Sequence, residues 1–227
     1  YFAAFIVGAI FAIPVFLSFT SDKGGASRFS MVSVFSSGDV LSKSIKQMEY
    51  DRANNDSIGS LFHNRRVVYF LSAAKGYFDH WNPDFLFFHG DGGRQHHAVD
   101  MGMLYLWDLP FILFGLYALF SQKNKRSQLL ILAFLIAPLP SAIATGTPHP
   151  VRAIAMVPGF SIFTALGVYF LFFREKRIRK AILLMSVVIL FLLNFSYYLH
   201  QYYVHTPVEY GDFWQYGHKE AFQDAKS

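Results

Sequence analysis

His89, Asp91, Arg94, His96 and His97 crowd into one stretch, Phe87-Phe-His-Gly-Asp-Gly-Gly-Arg-Gln-His-His-Ala-Val-Asp100. Imidazoles beside carboxylates move protons near neutral pH, and a guanidinium among them holds anions. Glycine at Gly90, Gly92 and Gly93 permits positive φ and close backbone approach, so Gly90-Asp-Gly-Gly93 reads as an anion-binding nest or as an ordinary tight turn. Metal ligation is the weaker reading of the histidines. Adjacent residues point in different directions, no His-Glu-x-x-His pair is present, and the chain has no cysteine. A long apolar segment follows at once. Groups this polar avoid hydrocarbon unless they line a cavity or stay among the headgroups, so the stretch is expected at a membrane interface.

A second candidate is the turn Thr145-Gly-Thr-Pro-His-Pro-Val-Arg152. If a helix begins near Pro150, its free amides, His149 and Arg152 converge on an anion; alternatively Arg152 snorkels to the headgroups. Asp108, just inside an apolar segment, must face protein or water, or remain in the interfacial layer. Tyr197, Tyr198, Tyr202, Tyr203, Trp214 and Tyr216 read as an aromatic belt and as packing for the C-terminal tail.

The elements that position these residues follow from composition. The chain has 227 residues, 53% hydrophobic and only 15% charged, which points to a membrane protein. Its net charge of +5 arises from short basic loops, a pattern of topology rather than of nucleic-acid binding. The spacing predicts an all-α polytopic bundle of about five membrane helices, each near the ~20 apolar residues a bilayer requires. They are Phe2–Phe19, Leu104–Phe120, Leu129–Ala144, Ala153–Phe173 and Ala181–Leu199. Lys123, Lys125 and Arg126, and the run Arg174–Lys180, place two loops inside. The organisation is then a membrane helix at 1–20, an outer loop region at 21–103, four spans over 104–200 and an outer tail at 201–227. Within the outer region, Arg28–Phe35 alternates like an extended segment. Val67, Phe70, Leu71, Ala74, Tyr77 and Phe78 recur at the spacing of a helix lying among headgroups, which Asn82-Pro83 stops. The chain opens on Tyr1 in apolar sequence and reads as a piece of a longer protein.

Several motifs recur in order: Val32-Ser-Val-Phe35, Asn82-Pro-Asp-Phe-Leu-Phe-Phe88, Gly90-Asp91, His96 and Leu104-Tyr-Leu-Trp-Asp-Leu-Pro110. Ala137-Pro-Leu-Pro-Ser141, Pro148-His149 and Arg152-Ala153 complete the set. From about Arg28 to Gly217 the chain thereby resembles the later half of a bacterial membrane glycosyltransferase of the GT-C fold. That superfamily includes protein O-mannosyltransferases and the lipid A aminoarabinose transferase. The resemblance implies transfer of a sugar, with inversion, from a polyprenyl-phosphate donor to an acceptor on the outer face of the inner membrane. The catalytic carboxylate is expected on a loop preceding this chain. His96, His149 and Arg152 match positions that carry histidine or arginine near the lipid phosphate. Those relatives often have arginine directly before the first histidine, where this chain has Gln95, with Arg94 one residue earlier.

The expected donor-phosphate site is thus Arg94, His96, His149 and Arg152, with Asp91 and His97 supporting the loop. No cofactor is implied within the chain, although the full-length protein leaves room for a divalent cation. The expected partners are the sugar-carrying lipid and membrane lipid, with no nucleic acid. Two other classes compete: a transporter or channel subunit using Asp108 and the histidines as an ion path, and a lipid-binding subunit without chemistry. The transport reading is weakened because the spans hold almost no ionisable group besides Asp108.

Overall fold

The computed structural model describes residues 23–122, 124–174 and 177–226, with isolated positions before residue 23. The predicted span Phe2–Phe19 lies largely outside them. The described residues are helical, and their single β-bridge joins Ser33 to Ala144. The chain divides into two compact units, Tyr1–Gly76 with Ile143–Thr145, and Tyr77–Ala142 with Gly146–Ser227.

In the first unit, α1 (Lys23–Val32) leads to α2 (Gly38–Ala53), α3 (Ser57–Phe62) and α4 (Arg65–Asp79), whose last residues count with the second unit. The extended segment expected at Arg28–Phe35 is instead the end of α1 and a 3-10 turn, Val34–Ser36. Phe29 and Val32 also recur at helical spacing, so the short apolar pattern fits either form, and only Ser33 keeps a β-type contact. Asp56 caps α3 by accepting from the Gly59 amide at 2.8 Å. Asn64 does the same for α4 at the amides of Arg66 and Val67. On α4 the predicted apolar stripe is partly uncovered: Phe70, Leu71 and Phe78 are exposed while Val67, Ala74 and Tyr77 are half-buried, and Tyr69, off the stripe, is buried against Phe35.

The second unit is built on α5 (Asp108–Gln122), α6 (Lys125–Ile136), α7 (Val157–Arg174) and α8 (Arg177–His200). Gly115 and Gly167 let α5 and α7 touch backbone to backbone. A Cβ at Gly115 would meet the Phe163 carbonyl, and one at Gly167 the Phe111 carbonyl. Small residues facing each other in this way recur where membrane helices cross. Phe134 of α6 completes the core by setting its ring against Phe160, Phe163 and Trp81, with centroids 4.8, 4.7 and 5.0 Å away. Phe163 is wholly buried, and such burial contributes about 1.5–3 kcal/mol.

Two stretches are long and apolar enough to cross a membrane, Ile154–Phe172 and Arg179–Glu209. None of the apolar window of the second is buried within the protein. The other two predicted spans give shorter helices. Leu104–Trp107 turn before α5 starts at Asp108. The segment Leu129–Ala144 is split: α6 ends at Ile136, Pro138 is buried at the break, and a four-residue helix, Leu139–Ala142, follows. At 12 residues, α6 is only about 18 Å long.

The reciprocal glycine crossing gives a test. Gly115→Ala or Gly167→Ala should lower stability by on the order of 1–3 kcal/mol, because the added methyl meets backbone rather than a movable side chain. Thermal unfolding in detergent measures it, and an unchanged midpoint would show that the helices do not cross there.

Candidate functional site

All the predicted site residues lie in the second unit. The polar loop is closed at its base by backbone: Leu104 and Met103 amides donate to the carbonyls of Leu86 and Phe85 at 2.7 and 3.3 Å. Leu86 and Phe85 belong to a π-helical turn, Asp84–Phe88, that forms just after Asn82-Pro83 interrupts the chain. Inside the loop the glycines make room for imidazoles. Gly90, at φ +68°, lies against the His97 ring, and Gly93 lies against His96. The loop therefore packs on its own histidines, with Gly90 and Gly93 supplying the room.

Asp91 organises this packing. Its nearly buried carboxylate accepts from Nδ1 of His96 at 2.8 Å, which leaves Nε2 of His96 to act as acceptor or, once protonated, as donor. The second oxygen, Oδ1, is buried without a hydrogen bond and stands 3.9 Å from Nε2 of His97. The two ring nitrogens of His97 face carbonyl oxygens, those of Ala98 and Asp91, at 2.9 and 3.0 Å. His97 is thus spent on holding the loop. Thr206 pins the loop from the tail, its hydroxyl accepting from the Val99 amide at 3.4 Å and donating to the Gln201 carbonyl at 3.0 Å.

The His149 turn comes from the other side. The His96 and His149 rings meet at 4.9 Å between centroids, tilted by 44°. The backbone of His149 is fixed by His80, a histidine with no signal in the sequence. Nε2 of His80, wholly buried, accepts from the His149 amide at 3.2 Å and from the hydroxyl of equally buried Ser141 at 2.7 Å. Thr147 donates to Asp79 at 2.8 Å, and the Thr147–Pro148 peptide is cis.

The helix expected to start near Pro150 does not. The Ala153 amide donates to the carbonyls of His149 and Pro150, closing a turn, and a 3-10 segment, Ile154–Met156, precedes α7. His149 and Arg152 therefore sit ahead of the helix, not on its free amides. They remain electrostatic neighbours. Burial lowers the His149 pKa from its ordinary 6.5, the Arg152 charge lowers it further, and His96 adds to this, while Asp91 opposes. Among the described residues, the buried Nδ1 of His149 has no hydrogen-bond partner.

Arg94 goes elsewhere. Its guanidinium lies over the rings of Tyr210 and Phe213, 5.3 Å from each centroid, as a cation–π clamp on the tail. His89 pairs with Asp84 at the surface, which raises its pKa. Among the described residues no group of three or more His, Asp or Glu side chains is arranged to hold a metal ion.

A cleft of about 480 Å³ opens beside His96. Asp108, Tyr105, Tyr198, Tyr202 and Trp214 line it together with the loop. Of the aromatic residues expected to form a belt, Tyr198, Tyr202 and Trp214 line this cleft, and Tyr198 and Tyr202 continue a row of stacked rings from Phe191 and Phe195, 5.7, 6.5 and 5.7 Å apart in sequence.

The depressed pKa of His149 has a pH signature. Folding favours its neutral ring, so its contribution to stability is complete above pH 6.5 and is lost as pH falls through the lower folded value. Acidification from neutral pH should therefore destabilise wild type more than His149→Gln, a difference that unfolding midpoints at several pH values would reveal. A gap between the two proteins that stays constant across this range would contradict the buried environment of the ring. Comparison with protein families, curated proteins and solved structures found no match to this chain.

Proposed function

We propose that this chain is the donor-binding part of a membrane glycosyltransferase, moving a sugar from a polyprenyl-phosphate carrier to an acceptor on the outer face of the cytoplasmic membrane. One observation carries the reading: His149, Arg152, His96 and Asp91 form one electrostatic group, and the buried Nδ1 of His149 lacks a hydrogen-bond partner. Buried polar atoms are usually satisfied, so such an atom beside a guanidinium supports an anionic ligand with oxygens to share. The motifs that resemble the GT-C superfamily supply the identity of that anion as a lipid phosphate.

In this reading the acceptor attacks the anomeric carbon from the face opposite the carrier. The bond from that carbon to the phosphate oxygen breaks, and its electron pair stays on the phosphate. Arg152 stabilises the growing charge, which its planar fork suits. His149 contributes a ring N–H, and His96, held by Asp91, a second polar contact. The acceptor's proton passes to a carboxylate that the resemblance places on a loop preceding this chain.

The membrane arrangement belongs to the same proposal. Phe2–Phe19, α5, α6 with its short continuation, α7 and α8 make five spans, with both basic loops inside. The start of α8 supports this orientation. Arg177, Arg179 and Lys180 fall in or beside its first turn, where the helix dipole disfavours cations. Retention of positive charge on the cytoplasmic side accounts for that placement. The exposed Phe70, Leu71 and Phe78 of α4 would rest among outer headgroups.

The test is transfer from a radiolabelled polyprenyl-phosphate sugar by membranes containing the full-length protein. Arg152→Ala should lower the rate by about 100- to 1000-fold at equal protein level, the usual cost of removing one transition-state charge stabiliser. Arg152→Lys should recover only part of it, because a point charge cannot bind two oxygens in a fork. A rate unchanged in Arg152→Ala would remove this arginine from the site.

A further inference from the structure

The cleft beside His96 is not used by the phosphate chemistry above. Its walls are of a different kind: one carboxylate, Asp108, and the rings of Tyr105, Tyr198, Tyr202 and Trp214. We infer that this cleft, between His96 and Asp108, receives the pyranosyl group of the donor, with sugar hydroxyls donating to Asp108 and a sugar face lying on the aromatic rings. The inference rests on the donor reading proposed above and assigns the part of the ligand that reading leaves without a site.

Three observations support it. The first is connectivity. His96 lines the cleft, and its ring lies 4.9 Å from that of His149, so one histidine borders both the phosphate group and the cleft. A sugar bonded directly to a phosphate requires two adjoining sites of this kind. The second is size. At about 480 Å³ the cleft falls within the roughly 300–1,000 Å³ of small-molecule sites. The third is chemistry. Asp108 is the first residue of α5 and lines the cleft, with the Tyr105 backbone beside its carboxylate. An ionised carboxylate only accepts hydrogen bonds, and sugar hydroxyls are donors that satisfy it without introducing a charge. Aromatic rings supply apolar surface for the C–H face of a pyranose while their polar edges remain wet.

The rings are also held in register. Tyr198 and Tyr202 stack at 5.7 Å, and Tyr105 meets Tyr198 edge-on at 6.5 Å. Thr206, which anchors the polar loop at Val99, lines the same cleft, so the tail fixes the loop and the aromatic wall together.

The experiment measures binding by the full-length protein in nanodiscs to two probes: a polyprenyl phosphate, and the same lipid carrying a hexose on its phosphate. Asp108→Asn keeps the shape of the side chain but weakens its accepting power. It should reduce affinity for the hexosyl lipid by about 10-fold or more while changing affinity for the bare lipid phosphate less than about twofold, since a hydrogen bond to a charged group carries that much selectivity. Trp214→Ala should show the same selective loss and guards against a folding defect at Asp108. Losses equal for the two lipids, or no loss in either variant, would overturn the cleft assignment. In that case the phosphate reading still stands if Arg152→Ala weakens binding of both lipids. If wild type binds neither lipid, the donor reading and the cleft assignment fail together.

Discussion

The imidazole of His80 holds the site together. It follows α4 directly, is wholly buried, and accepts at one nitrogen from Ser141 and from the backbone of His149. Three segments distant in sequence are thereby joined: the end of α4, the short helix after α6, and the turn before α7. A buried polar group left unpaired costs about 1–3 kcal/mol, so these contacts are mutually enforcing, and removing one partner strands the others. Because both contacts are donors, the ring proton resides on Nδ1. The position of His149, and through it the meeting with His96, depends on this arrangement.

Around that junction the second unit divides its labour by surface chemistry. The face where α5 and α7 cross is sealed by glycine and phenylalanine, and Phe134 closes it from α6. The outward face of α8 is apolar and uncovered, with Leu184, Leu192 and Leu193 all exposed. Burying such a face against hydrocarbon is favourable, and a helix that keeps its backbone bonds internal is the form a membrane accepts. The polar loop and the His149 turn lie where the helical rods have ended and irregular backbone begins. A site built there draws rigidity from the helices while retaining the varied backbone directions that turns provide.

Helical organisation was legible because long apolar runs carry it, and α7 and α8 fall close to where those runs predict. Local geometry was less legible. Arg28–Phe35 alternates and yet is mostly helical, since its apolar spacing satisfies two periods. Leu129–Ala144 reads as one hydrophobic segment, but Pro138 is buried at a break that hydropathy does not register. Polar residues near a predicted site can also be drawn to other partners. Arg94 sits within the loop that carries His96, yet the rings of Tyr210 and Phe213, more than a hundred residues later, hold its guanidinium. The same long-range folding turns Tyr198, Tyr202 and Trp214 into the wall of a cleft, and makes His80 and Ser141 a buried pair. None of these pairings has a local signature, because each is set by tertiary contact.

If His149 and Arg152 share an anionic ligand as proposed, the ionisation of His149 reports on it most directly. A bound phosphate would bring negative charge and an acceptor to the desolvated Nδ1, favouring the protonated ring. The measurement is a 15N NMR titration of the His149 ring, assigned by its loss in His149→Gln, with and without polyprenyl phosphate in nanodiscs. The pKa should lie below 6.5 in the free protein and rise clearly when the lipid phosphate is present. A His149 titration indifferent to the lipid, under conditions where the lipid is bound, would contradict it.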